Sequence, residues 1–316
     1  MKITWTPVRR FPEGAAYHIL EQSKVGQIPH VYLSGILVKE FCGHRMEFLI
    51  IEDCGKSPLQ IFAGKSSSLT GEKASTLVSM IRQVSSCLVW VRCAGILHRD
   101  ISMGNIAIRQ GDKSKGCVAS IIDFGYAKLL PNDIAEGVLR EVSAKWSFEP
   151  KTVSYTEDSL DAITGTPMYM SIPILFGKKQ RGLHDDIESL FYVVLHLIWE
   201  LQMPASENRT VPAPLNFLGS ENMAFVRAGT LGSKTGYLRS FGIRECPDEL
   251  RRVLDAMYDY LFIDGDGKNI ACCFNEDWCT RKSHDTDAAA LFMDLEASCQ
   301  QVSAAYKCTS RGENIC

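Results

Sequence analysis

The chain has 316 residues, with 34 Lys+Arg against 37 Asp+Glu, a formal net charge of −3, 46 % hydrophobic and 22 % charged residues. That is enough apolar sequence for a sizeable core and too much for low-complexity disorder, and the near-neutral balance argues against a dedicated nucleic-acid binder. No window approaches the roughly 18 uninterrupted apolar residues of a membrane span. No apolar signal region follows Met1, and 12 cysteines spread over this length read as reduced thiols. The expectation is an intracellular globular protein, cytoplasmic or nuclear, with no nucleic-acid and no membrane partner.

Along the chain, residues 15–23 predict a short helix carrying Ile19 and Leu20 and stopped by Gly26. Strand-like runs follow at 31–38 and 46–51, the second ending at Glu52-Asp53-Cys54-Gly55. Leu77, Ile81, Val84, Leu88 and Val91 recur at three- and four-residue spacing, so residues 72–94 predict a helix with one buried face. A polar loop at 98–104 leads to a strand at 105–108. A turn at 110–116 and a second strand at 118–122 then close on Asp123-Phe124-Gly125. Residues 126–165 read as a long, irregular surface segment. Residues 187–199 are apolar on nearly all sides, which predicts a helix in the middle of a core. A loop is expected at 203–214, and a helix at 249–262 opened by Pro247-Asp248. Residues 263–316 carry no readable pattern, and no internal repeat is present.

The chemistry concentrates in His98-Arg99-Asp100, Asn105 and Asp123-Phe124-Gly125. Phosphoryl transfer needs an acceptor hydroxyl oriented and relieved of its proton, and oxygen ligands for a metal that bridges the phosphates. Asp100 suits the first task. Asn105 and Asp123 suit the second, because Mg²⁺ takes few protein oxygens and fills its shell with phosphate and water.

In spacing and order these residues resemble the catalytic and magnesium loops of eukaryotic protein kinases. Gly165-Thr166-Pro167 is similar to the end of a kinase activation segment, and His184-Asp185-Asp186-Ile187-Glu188-Ser189-Leu190-Phe191-Tyr192 to the start of its central helix. Together with Ile101-Ser102 and Met170-Ser171, they most resemble the fungal-type protein kinase family. The resemblance implies an α+β, two-lobed fold. Residues 1–54 would form a shortened N-lobe holding part of the third strand, helix C and strands 4 and 5. Residues 55–316 would form a mainly helical C-lobe, with the catalytic loop at 98–105 and the activation segment at 123–173. It implies ATP and Mg²⁺, and a protein substrate bearing Ser or Thr. Asp100 would be the base, with His98, Arg99 and Thr166 around it, and Asn105 and Asp123 would hold the metal. Asp186 would bind catalytic-loop amides. Lys2, in a Lys-x-x-Trp run, would pair with Glu13 or less well with Glu21, and Ile51, Glu52 and Cys54 would line the adenine pocket at the hinge.

Departures from the pattern bear on activity. No GxGxxG occurs, so the resemblance implies a chain that starts inside the third strand. Ser102 stands where a lysine is usual, and Pro173 where the family carries a glutamate. A pseudokinase that binds partners without transferring phosphate is therefore the alternative. An aminoglycoside-type phosphotransferase is disfavoured by Arg99 and the full Asp-Phe-Gly. Thr152, Ser154, Thr156 and Ser159 are candidate phosphate acceptors in the activation segment. A calcium loop at Asp264 fails on ligand positions, and Cys272, Cys273 and Cys279 lack zinc spacing.

Overall fold

A computed structural model describes residues 1–62, 69, 71–111, 117–130, 134, 136–146, 165–177, 181–203, 210–216, 220–264 and 266–271. Thr152, Ser154, Thr156, Ser159, Cys272, Cys273 and Cys279 lie outside them.

The architecture is α+β: a small sheet with one helix precedes a larger helical part. Strands β1 (Lys2–Pro7), β2 (Val31–Phe41) and β3 (His44–Ile51) form an antiparallel sheet in the order β1-β3-β2, with Lys2 opposite Leu49 and Gly35 opposite Phe48. The β2–β3 hairpin turns through Cys42 and Gly43. Both have positive φ (49° and 73°), the two-residue geometry that matches strand twist. Helix α1 (Glu13–Gln22) packs on this sheet by its buried face of Ala16, Tyr17, Ile19 and Leu20. Its N-cap is Pro12, which has no side chain to cap with. The Glu13 N–H instead donates to Glu47 Oε2 of β3 at 3.2 Å, a tertiary cap on an otherwise orphaned amide.

A short helix α2 (Pro58–Phe62) leads to α3 (Gly71–Cys93), whose face of Leu77, Ile81, Val84, Leu88 and Val91 is buried. By length and composition α3 could cross a membrane, but here its apolar face packs within the core. Gly95, at φ 78°, ends the turn after it. Two small ribbons follow: β4 (Ile96–Leu97) pairs with β7 (Lys128–Leu129), and β5 (Ile106–Gln110) with β6 (Cys117–Ile121). Asn105 therefore sits in the loop before the strand, not in it. The stretch expected to be irregular contains β7 and a helix α4 (Glu136–Trp146), with Val142 and Trp146 buried against the core. The expectation fails because a two-residue ribbon strand and an eleven-residue helix with two fully buried positions leave little periodicity in a polar stretch.

After α5 (Ile172–Leu175), helix α6 (Leu183–Gln202) is buried on nearly every side and packs on α3 and on α9 (Asp248–Phe262). Its N-cap is Gly182, whose N–H donates to Asp185 Oδ2 at 2.7 Å. Helices α7 (Ser220–Leu231) and α8 (Tyr237–Ser240) complete the helical part.

Candidate active site

The loop between β4 and β5 has no strand or helix of its own at its centre, so its backbone needs partners from elsewhere. Asp186, buried in the first turn of α6, supplies them: Oδ2 accepts the His98 N–H at 3.0 Å and Oδ1 the Arg99 N–H at 2.8 Å. Burial pushes the Asp186 carboxyl up to about 7, against the pull of those two amides. His98 is fully buried, which lowers its pKa. Its Nδ1 accepts the Asp100 N–H at 3.3 Å and its Nε2 lies 3.1 Å from the Ile122 carbonyl, as suits the neutral ring carrying its proton on Nε2. Arg99 is left-handed, with φ 71°.

Asp100 is thereby fixed at the backbone and then at the side chain. Its Oδ1 accepts both the Thr166 N–H and the Thr166 hydroxyl at 2.8 Å, and its Oδ2 accepts the Asn105 amide at 2.9 Å. Gly165 permits this approach. It has φ 111°, and a Cβ there would lie 2.7 Å from the Arg99 carbonyl oxygen.

The second loop follows β6. The Ile122 N–H donates to the Asn105 carbonyl at 2.9 Å, which ties the two loops together. Asp123, left-handed at φ 65°, receives Lys2 Nζ on Oδ1 at 2.7 Å, and its own N–H donates to the Tyr17 hydroxyl at 3.1 Å. Phe124 is fully buried between Tyr17 and His98, edge-on to both, at centroid distances of 5.0 and 4.7 Å. Lys2 also reaches Glu13 Oε2 at 2.7 Å, whereas Glu21 lies on His30 instead. Burial pushes Glu13 up to about 7 against the pull of Lys2. The two carboxylates outweigh burial at Lys2 and raise it.

Residues from β1, α1 and the two loops thus converge on one place. Ile51, Glu52 and Cys54 stand apart from that convergence. The Glu52 N–H donates to the His30 carbonyl at 2.8 Å, its carboxylate meets Arg109 at 2.8 Å, and Cys54 is buried. Among the described residues no hydrogen bond or ion pair joins these three to Lys2, Glu13 or Asp123. Asn105 gives both amide hydrogens to Asp100, at Oδ2 and at the carbonyl, which leaves its own oxygen free of them. One amide oxygen and one carboxylate on tethered loops are hard donors that fit Mg²⁺. Among the described residues no group of three or more His, Cys, Asp or Glu suits a metal by itself.

Several residues of the site were not foreseen. Tyr17 lies one turn beyond Glu13 on α1, so the four-residue spacing could have found it. Arg45 and Glu47, charged at inward-facing positions of a strand, were a signal of the same kind. Where Pro173 replaces a glutamate, Glu188 accepts the Ile172 N–H at 2.8 Å and the Tyr192 hydroxyl at 2.6 Å. Buried Arg227 lies 3.7 Å over the Tyr192 ring and donates to the carbonyls of Met168, Met170 and Pro214.

Fold and loop geometry together define a protein-kinase-like molecule, with a small sheet-bearing lobe over a helical one. Residues 61–198 match the fungal protein kinase family, and the curated relatives the chain resembles are protein kinases. It is 30 % identical over 129 residues to the MAP kinase kinase kinase SSK2 of Saccharomyces cerevisiae, across 37 % of this chain and 8 % of that protein. It is 25 % identical over 284 residues to the casein kinase I homolog RAG8 of Kluyveromyces lactis, across 80 % and 46 %. The beta subunit of rat inhibitor of nuclear factor kappa-B kinase is 28 % identical over 85 residues, across 27 % and 11 %. The chain thus spans less than half the length of these curated relatives.

Proposed function

We propose that the protein transfers the γ-phosphoryl group of ATP to a Ser or Thr hydroxyl of a protein substrate. The observation that carries this reading is the convergence of Lys2, Glu13 and Asp123 beside an Asp100 held from both sides. Asp100 accepts the proton of the acceptor hydroxyl as its oxygen bonds the γ-phosphorus and the bridging oxygen leaves with ADP. Thr166 and Asn105 orient that carboxylate, and His98 and Arg99 anchor its backbone through Asp186. Lys2, steadied by Glu13, meets the phosphates. Asn105 and Asp123 would hold Mg²⁺, which neutralises charge on the phosphates. Ile51, Glu52 and Cys54 line the adenine side, at the junction between an N-lobe of residues 1–54 and a C-lobe of residues 55–316. Most of the rate gain in such a site is positioning and charge stabilisation. The reading sets the protein in the cytoplasm or nucleus, as suits the free thiols of Cys42, Cys54, Cys87, Cys93, Cys117 and Cys246.

The test pairs a thermal shift with Mg²⁺·ATP against phosphate transfer to a Ser/Thr peptide library. A shift together with transfer abolished by Asp100→Asn supports the reading. Absence of both at millimolar nucleotide supports the non-transferring alternative.

A further inference from the structure

Helix α4 lies between the Asp-Phe-Gly loop and Gly165-Thr166, and it packs on α1. Its inward residues Val138, Val142 and Trp146 follow at four-residue steps, the last two fully buried. The indole of Trp146 sits on Gly14, the residue next to Glu13. A Cβ added at Gly14 would lie 2.0 Å from Trp146 Cη2, so α1 has a hole where the ring inserts. One turn on, His18 Nε2 is 3.4 Å from Glu141 Oε1 of α4. Trp146 Nε1 has no hydrogen-bond partner among the described residues, so packing alone holds the ring.

We propose that α4 is a built-in brace for α1, and that Trp146 is a positioning residue that keeps Glu13 within reach of Lys2. The proposal rests on the catalytic reading of Lys2 and Glu13. It makes α4 a lever: whatever draws α4 off α1 loosens the Lys2–Glu13 pair, which spans 2.7 Å.

The test is a double-mutant cycle read as kcat/KM for ATP and as affinity for a fluorescent ATP analogue with Mg²⁺. Trp146→Ala should lose about tenfold or more, since misplacement by about 1 Å can cost up to about 10²-fold. In a Glu13→Gln background the same change should cost less than about twofold, because the two act through one contact. Gly14→Ala should mimic Trp146→Ala, and Gly14→Ala combined with Trp146→Ala should be no worse than Trp146→Ala alone. Exposed Lys145→Ala on the same helix should be silent. Amide exchange should quicken in α1 of Trp146→Ala while α6 and α9 hold. Equal losses in both backgrounds, or unchanged exchange in α1, overturn the brace. A wild-type chain that binds nucleotide while Trp146→Ala matches it also overturns the brace and leaves the catalytic reading standing. A wild-type chain that neither binds nor transfers overturns the catalytic reading, and exchange in α1 then decides the brace alone.

Discussion

Arg45→Met is expected to be among the most damaging single changes in the sheet-bearing lobe. Arg45 is 2 % exposed; its Nε donates to Glu47 Oε1 at 2.5 Å, its Nη1 to the Val8 carbonyl at 2.9 Å, and its Nη2 to the Arg10 carbonyl. The side chain thus staples the β1–α1 connection to β3, while Glu47 caps α1 at Glu13. Methionine keeps the volume but leaves the Glu47 carboxylate buried and unpaired, which costs about 3–5 kcal/mol. The two carbonyls each lose a bond of about 1 kcal/mol net. A total of about 5–7 kcal/mol is a third or more of a typical domain's stability and lowers Tm by roughly 10–25 °C. Glu47→Gln alone should cost less, because the amide oxygen still accepts a hydrogen bond. Urea unfolding followed by fluorescence gives the cycle. The double variant should fall short of the summed single losses by about 2–3 kcal/mol, since it leaves no lone buried charge. Losses that add within about 0.5 kcal/mol, or an Arg45→Met cost below about 1 kcal/mol, would refute the reasoning.

Two more outcomes follow from buried charge in the helical part. Burial pushes Glu188 up to about 7, from 4.5, so the folded chain binds a proton there that the unfolded chain has released. Its contribution to stability is complete below about pH 4.5 and is lost as pH climbs through about 7, a span worth on the order of 3 kcal/mol. Glu188→Gln keeps the acceptor for Ile172 and Tyr192. Its Tm should therefore rise relative to wild type between pH 5 and pH 8, and parallel curves would contradict the assignment. Arg227→Met strands the carbonyls of Met168, Met170 and Pro214 and should cost about 3–5 kcal/mol by urea unfolding, at about 1–1.5 kcal/mol per lost bond. Arg227→Lys, one charge without the fork, should lie between; a Lys variant as stable as wild type would show that the fork is not what braces residues 168–170.

What could be read from the sequence is what repeats locally or is compressed into a short motif. The stripe of α3 and the all-round apolar run of α6 announce themselves because burial of many residues leaves a period. The Asp100–Thr166 contact was anticipated from the motifs, as was Lys2 on Glu13, whereas the Asn105 amide on Asp100 was not. What could not be read are contacts made by a few residues across long separations. Trp146 on Gly14 joins a polar helix to a small residue 132 positions earlier, and neither end carries a pattern that names the other. The staple of Arg45 is of the same kind. Its strand alternates correctly, but the carbonyls it binds lie 37 and 35 residues away.

These long-range polar contacts share one physical form. Glu47, Asp186 and Glu188 are buried carboxylates on regular elements, and each accepts a backbone N–H from a different stretch: Glu13, His98 with Arg99, and Ile172. A carboxylate on a strand or helix is a fixed post, and an amide tied to it holds its segment in place. The left-handed backbone at Arg99 and Asp123 costs about 1 kcal/mol or more at each residue, and persists only where the surroundings over-determine it. Both residues have that support, Arg99 through its N–H on Asp186 and Asp123 through its N–H on Tyr17. The apolar core alone could not hold Asp100 and Asp123 in register. Burial is indifferent to direction, whereas each of these bonds fixes one atom at one distance.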